Sequence, residues 1–114
     1  MIRDSNAPFP MQLYVFNADG TLQQSDPDAG DSQNSDSDGK GVWAAEGSHV
    51  RGKWIEIMAD RATHKFTGRG ECIFDISVAG DRLSGHAKMT LLDREGHTTA
   101  VVSTALVGER IALR

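Results

Sequence analysis

Apolar and polar positions alternate with a period of two through much of this chain. Residues 71–78 alternate in this way, and residues 83–91 do so again with a second set of apolar side chains. Residues 98–107 are rich in β-branched types. A period of two places alternate side chains on opposite faces of a sheet, whereas a helix would need a period of 3.6. The pattern predicts strands and little or no helix.

Turn residues separate these runs at short, regular intervals. Asp19-Gly20, Glu46-Gly47, Gly80-Asp81 and Asp93 to Gly96 each lie between two β-type segments. Such pairs tolerate the positive φ angles that tight hairpins require. Strands at this spacing are typical of up-and-down antiparallel architectures. We predict an all-β fold, an antiparallel up-and-down β-barrel of about seven to eight strands.

One segment departs from the alternating pattern, and the number of strands is open. Residues 25–40 are almost wholly Asp, Ser, Asn, Gln and Gly, and they predict a long, mobile acidic loop.

A barrel with one strand too few exposes a sheet edge, which favours pairing with another chain. Either residues 2–8 supply a short extra strand, or two chains pair edge to edge as a homodimer.

Size and charge narrow the classes of partner. The chain has 114 residues, a net charge of −4 and 39% apolar residues, which indicates a single folded domain over residues 1–114. It shows no basic patch, so we expect neither nucleic acid nor an anionic membrane as a partner. No apolar stretch approaches a membrane span or a signal peptide, and Cys72 is the single cysteine. These features favour a cytoplasmic protein.

Glu56 is the candidate catalytic residue. It alternates with Trp54 and Met58 on one face of a run whose other face carries Ile55 and Ile57. If Trp54 and Met58 face the interior, Glu56 does too, and burial would raise its pKa and suit it to acid or base catalysis. If the isoleucines face the core instead, Glu56 lies in water. The sequence leaves both orientations open.

A set of aromatic and methionine side chains would shape a ligand pocket. Tyr14 and Phe16 share a face, and Trp43 follows a glycine-rich turn; ordinary core packing, or a plug at the barrel base, is the alternative for these three. The full set assigned to ligand binding is Tyr14, Phe16, Trp43, Trp54, Met58, Phe74 and Met89.

Metal and cofactor motifs are incomplete. Asn34-x-Asp36-x-Asp38-Gly39 matches the opening of a calcium loop, but Ala45 stands where the bidentate glutamate belongs. The four histidines have no ligand spacing, and no phosphate-binding or dinucleotide-binding fingerprint is present. We expect no metal and no cofactor.

Several of these segments together resemble small bacterial lipocalin-like proteins. The resemblance rests on Phe16 to Thr21, Ser25-Asp26-Pro27, Gly41-Val42-Trp43, Glu56, Gly80 to Gly85 and Gly108 to Ile111, and it spans most of the chain. It implies a lipocalin-like barrel and says little about activity. Members begin with a further strand carrying Gly-x-Trp, which this chain lacks. Similar compact barrels act as cyclases or isomerases in natural-product pathways, including spirotetronate formation.

Three functions follow as hypotheses. The first is a barrel that binds an apolar small molecule, as a cyclase- or isomerase-type accessory enzyme of secondary metabolism with Glu56 as acid or base. The second is a non-catalytic carrier with the same cavity. The third is an interaction module that pairs through a sheet edge. A cyclase that works by orienting its substrate needs few special residues, so the sequence does not distinguish among the three functions.

Overall fold

The protein is all-β, as predicted. The computed structural model describes residues 1–4, 11–27 and 30–113, which contain no helix and therefore none that could cross a membrane. Their nine strands are β1 (Ile2–Asp4), β2 (Met11–Phe16), β3 (Thr21–Ser25), β4 (Asn34–Asp36), β5 (Gly39–Glu46), β6 (His49–Asp60), β7 (Phe66–Ala79), β8 (Arg82–Asp93) and β9 (Thr98–Glu109).

Eight of these strands close into an antiparallel barrel. The order around the barrel is β6-β5-β3-β2-β1-β9-β8-β7, and β7 pairs with β6 to complete it. The closing ladder is long, running from the pair His49 and Ser77 to the pair Ala59 and Phe66. Closure of the sheet leaves no long unpaired edge among the described strands. The predicted up-and-down barrel is confirmed.

A three-residue strand at the start of the chain makes this closure. Ile2 pairs with Gln12 of β2 and with Gly108 of β9, so β1 bridges the two strands that would otherwise be edges. Of the two alternatives that the sequence left open, an extra strand from residues 2–8 is present as Ile2–Asp4, and residues 5–8 lie outside the described residues. The described barrel closes within one chain, which removes the open edge that suggested a homodimer.

The acidic segment contains more structure than its composition indicates. Asn34–Asp36 forms β4 and pairs with β6 from Asp60 to Met58, in line with β5, which pairs with the other half of β6. Between β4 and β5, Ser37 takes part in two hydrogen bonds with the backbone of Ile57. Residues 25, 34–36 and 39–40 were predicted as loop but are strand, because β2, β3 and β6 offer them hydrogen-bonding partners. Asp28 and Ala29 lie outside the described residues.

The core follows the predicted alternation. Inward positions of β6, β7, β8 and β9 are buried or half-buried at mid-strand, and Cys72 lies among them, 3% exposed. The fully buried apolar side chains are Ile2, Leu22, Trp54, Cys72, Phe74, Ile76, Ala87 and Leu106. Isoleucines 55, 57 and 73 point outward and remain 39–58% exposed. The barrel therefore has one apolar interior and a mixed outer surface.

Interior glycines leave the space that the large core side chains occupy. A Cβ on Gly52 would lie 2.8 Å from the carbonyl oxygen of Val42 and nearer still to the ring of Phe74. A Cβ atom does not approach non-bonded heavy atoms this closely, so the ring and the strand would have to move. We expect Gly52→Ala to lower the free energy of unfolding by about 1–3 kcal/mol, the usual cost of overpacking.

Urea unfolding of Gly52→Ala, Phe74→Leu and the double variant would test this expectation. If the ring contact causes the loss, Phe74→Leu costs less in the Gly52→Ala background than in the wild type. If the changes in the free energy of unfolding of the two single variants simply add in the double variant, the ring contact does not cause the loss of stability.

Candidate functional site

The barrel interior opens into a cavity at the end that carries the β5–β6 and β7–β8 turns, here called the turn end. Its volume is about 590 Å³. Inward side chains of six strands form most of its wall, and Gly47 and Gly80 lie at the turns above it. Its main interior lining residues are Ile2, Tyr14, Phe16, Trp43, Val50, Ile76, Val78 and Leu83. A mostly apolar, concave site of this size is typical of small-molecule binding.

Aromatic rings form one side of this cavity. The Phe16 and Trp43 centroids are 5.4 Å apart at 76°, and those of Tyr14 and Phe16 are 6.0 Å apart at 61°. Both rings of this pair also contact Phe74, at 5.4 Å from Tyr14 and 6.2 Å from Phe16. Edge-to-face packing of this kind fixes each ring against its neighbours. Each ring of the wall therefore packs against at least one other ring of the protein.

The polar atoms of the two tryptophans are satisfied within the protein. Trp43 Nε1 donates to the carbonyl oxygen of Asn17 at 2.9 Å, and Trp54 Nε1 donates to the Tyr14 hydroxyl at 2.8 Å. Because its donor is already engaged, Trp43 offers a ligand in the cavity apolar surface rather than a hydrogen bond. The Trp54 bond also orients Tyr14 between the cavity and the deeper core.

Trp54 and Phe74 close the cavity from below. They are 3% and 1% exposed, and neither lines it. Along β6 the inward residues are Val50 in the cavity wall, then Gly52, Trp54, Glu56 and Met58. Glu56 therefore lies on the far side of the Trp54 ring from the cavity.

The predicted site residues thus fall into three groups. Tyr14, Phe16 and Trp43 line the cavity, Trp54 and Phe74 lie beneath it, and Glu56, Met58 and Met89 lie beyond them. We call the region around the last three the acidic end of the barrel. The structure does not bring Glu56 together with the aromatic wall.

Glu56 points into the barrel and is 5% exposed. It pairs with Gly70 across the β6–β7 ladder, and an ideal Cβ on Gly70 would lie 2.8 Å from Glu56 Oε1 and 3.1 Å from Met89 Sδ. Glycine at position 70 therefore provides the space for the carboxyl group. Of the two orientations that the sequence left open, the structure has the one in which Trp54, Glu56 and Met58 all face the barrel interior.

Burial raises the pKa of Glu56 to about 8. Desolvation is the largest cause, and the nearby carboxylates of Asp36 and Asp26 add to it. β4 positions Asp36 by pairing it with Met58, two residues beyond Glu56 on β6. Asp26 follows β3 directly. At pH 7 Glu56 is therefore mainly a neutral acid that can donate a hydrogen bond or a proton.

A buried amide network stands next to these carboxyl groups. Gln24, which is 0% exposed, donates through Nε2 to Gln12 Oε1 at 3.0 Å and to Asp26 Oδ2 at 3.2 Å. Its Oε1 accepts from the backbone N–H of Gly39 at 2.7 Å. The amide of Gln24 is thereby held in one orientation, and it ties the start of β5 to Asp26.

The sequence interpretation did not include these neighbours. Gln12 shares the face of Tyr14 and Phe16, so its parity alone indicates an inward position. Asp26 and Asp36 carry no such signal, because they lie in a polar, low-complexity segment whose path is set by pairing with β6. Within the described residues, no three His, Cys, Asp or Glu side chains are arranged to hold a metal ion.

No family model, curated protein or solved structure matches this chain. The closed eight-stranded barrel is compatible with a lipocalin-like fold.

The raised pKa of Glu56 makes stability depend on pH. The unfolded chain releases this proton near its ordinary pKa of 4.5, whereas the folded protein retains it to about 8. The folded state binds more protons across this window, so the contribution is complete below pH 4.5 and is lost as pH rises through 8. We expect the free energy of unfolding to fall by about 1.4 kcal/mol per pH unit within it.

Urea unfolding at several pH values would measure this slope. Glu56→Gln keeps a neutral, similarly shaped side chain, so it should flatten the slope and exceed the wild type in stability above pH 8. Glu46→Gln makes the same change at an exposed site at the other end and should leave the slope as it is. A wild-type slope that survives in Glu56→Gln would contradict the assignment.

Proposed function

We propose that this protein is a small-molecule-binding barrel whose ligand occupies the turn-end cavity. The observation that carries the proposal is the cavity of about 590 Å³ with a wall of interlocked aromatic rings. Such a wall costs little entropy on binding, because its side chains are already ordered. We also propose that the chain is related to the small bacterial lipocalin-like proteins that its turns and core aromatics resemble.

The ligand would be apolar, with any polar group at the cavity mouth. The tryptophan donors are engaged within the protein, whereas Ser48, Arg82 and Arg110 lie around the opening. Burying a ligand's polar group against the apolar wall would leave that group without partners, which is costly. A flat, ring-containing body fits edge-to-face packing against Phe16 and Trp43.

Cyclase- or isomerase-type chemistry is the second candidate function. It is favoured by Glu56, a buried carboxyl group that stays protonated at pH 7 and can act as a general acid. Because Trp54 lies between Glu56 and the cavity, a substrate in the cavity reaches Glu56 only if the Trp54–Tyr14 pair moves. Binding without conversion needs no such movement, so the carrier function is the simpler proposal.

Binding can be tested with the neutral fluorophore N-phenyl-1-naphthylamine. We expect its emission to rise on addition of the protein, and Val50→Trp, which fills the cavity, to weaken binding at least about tenfold, or 1.4 kcal/mol. Val101→Trp adds the same ring on the outer face of β9, where Val101 is 55% exposed, and should leave affinity unchanged. Equal binding by wild type and Val50→Trp would refute the assignment of the cavity.

Native mass spectrometry of protein taken directly from its source cells would separate the functions. A retained apolar molecule supports the carrier. The same spectrum reports whether the chain is a monomer or a homodimer.

A further inference from the structure

The fold gathers positive side chains on one outer face of the barrel, although the whole chain has a net charge of −4. Outward positions of β5, β6, β7 and β8 form this basic face, which Asp38 and Glu46 bound near the two ends of β5. Its charged residues are the cations Lys40, Arg51, Lys53, Arg69 and Lys88 and the carboxylates Glu71 and Asp75. The face thus holds five of the chain's twelve lysines and arginines but two of its sixteen acidic residues.

The sequence shows no basic run because these cations come from four different strands. Within β6, Arg51 and Lys53 are separated by one inward residue, and the other three cations stand singly on β5, β7 and β8. Pairing of the strands places them side by side. The basic face is therefore a property of the register of the sheet.

The two carboxylates of the basic face are already engaged with basic side chains of the same sheet. The partners are His49 and Arg51 for Asp75, and Arg69 and Lys53 for Glu71, at 2.7–3.1 Å. These hydrogen bonds lower the pKa of both carboxyl groups. Both arginines make these contacts through Nε, and a guanidinium group has five N–H donors. Donors therefore remain on the face for an incoming anion.

A groove of about 490 Å³ lies in the middle of the basic face. The outward side chains that line it include Arg51, Ile73, Asp75, His86 and Lys88. In the register of the sheet, Ile73 stands between Lys53 on β6 and Lys88 on β8, and it is 53% exposed. Lys88 forms no ion pair within the described part of the chain. An apolar side chain is thus left bare between two lysines whose Cα atoms are roughly 10 Å apart, two strand spacings.

The shape of this groove favours a protruding side chain over a flat surface. Ile73 is shorter than the lysines on either side, so it lies lower than their ammonium groups. A flat membrane surface would meet the ammonium groups first, whereas an apolar side chain flanked by carboxylates could contact all three residues. A second copy that presents the same face would bring like charges together, which is unfavourable.

The extent of the basic face favours a peptide segment over a small molecule. From Lys40 on β5 to Lys88 on β8 the cations cross three strand spacings, about 14 Å. This distance exceeds the size of one carboxylate or phosphate group. An extended acidic segment offers several carboxylates at comparable spacing.

We propose that the basic face docks an acidic peptide segment of another protein, in which one apolar side chain lies between two carboxylates. The apolar side chain enters the groove against Ile73, and the carboxylates contact Lys53 and Lys88. In an extended segment, residues i, i+2 and i+4 share a face and span about 13 Å, which the flexible lysine side chains can match. The ammonium group of Lys53 has three donors, so it can contact a second carboxylate while it holds Glu71.

The first experiment uses the peptide Glu-Ser-Leu-Ser-Glu with both termini blocked, in an amide NMR titration of the wild-type protein. We expect saturable shifts centred on residues 73 and 88. The peptides Gln-Ser-Leu-Ser-Gln and Glu-Ser-Ser-Ser-Glu lack the charges and the apolar side chain respectively, and each should bind about fivefold more weakly or worse. Raising the salt from about 20 to 300 mM should weaken the parent peptide several-fold, because salt screens exposed charges.

Variants of exposed residues then locate the site. Lys88→Glu should weaken binding of the parent peptide about fivefold or more. Lys65→Glu makes the same change in the exposed β6–β7 turn and should bind as the wild type does. Ile73→Ser should bring the parent peptide to the affinity of Glu-Ser-Ser-Ser-Glu. Urea unfolding midpoints near that of the wild type would show that each variant is folded.

Four results would overturn the proposal. Equal affinity for the Glu and Gln peptides would show that charge is not recognised, and unchanged affinity in Lys88→Glu would show that the groove is not the site. If the peptide does not bind but phosphatidylserine vesicles do, and Lys88→Glu abolishes this, the face belongs to a membrane contact. If the peptide does not bind but the protein self-associates at low salt through Lys88, the occupant is a second copy. None of these readouts involves the turn-end cavity, which the naphthylamine probe reports separately.

Discussion

The ladder that joins β6 to β7 is the constraint on which the remaining structure depends. It closes the sheet, and its register fixes which residues of two long strands face inward. A shift of β6 by one residue would turn Trp54 and Glu56 outward and bury Ile55 and Ile57 instead. The short β1 strand completes the barrel by pairing with β2 on one side and with β9 on the other.

Closure divides the interior into two chemically different regions. On one side of Trp54 the aromatic rings pack edge to face around a cavity, and their polar atoms are satisfied. On the other side lie the Glu56 carboxyl group and the thioether of Met89, and also the hydrogen-bonded amides of Gln12 and Gln24. Trp54 contributes to both regions, since its ring underlies the cavity and its Nε1 holds the Tyr14 hydroxyl. The sequence predicted a single pocket. The structure instead has two regions, and Trp54 separates them.

Two neighbouring glutamates show how strongly the face of a strand decides chemistry. Glu71 points outward on β7, where Arg69 and Lys53 hydrogen-bond to it and lower its pKa. Glu56 points inward on β6, where desolvation and two aspartates raise the pKa. The local sequence around each contains apolar and charged residues alike. One carboxyl group stabilises the outer surface as an anion, and the other is kept neutral at physiological pH.

The sequence by itself determined the strands, because a period of two and turn glycines act over a few residues. It also determined the all-β class and the shared face of Phe74 and Ile76 on β7. It left the orientation of Glu56 open, since both faces of β6 carry large apolar residues and only pairing with β7 chooses between them. β4 was hidden because Asn34, Ser35 and Asp36 have low strand propensity and depend on the edge of β6 for their hydrogen bonds. Only the tertiary structure brought Asp26 and Asp36 to Glu56 and put Trp54 between it and the aromatic cavity, because contacts between distant segments depend on register, which no local pattern encodes.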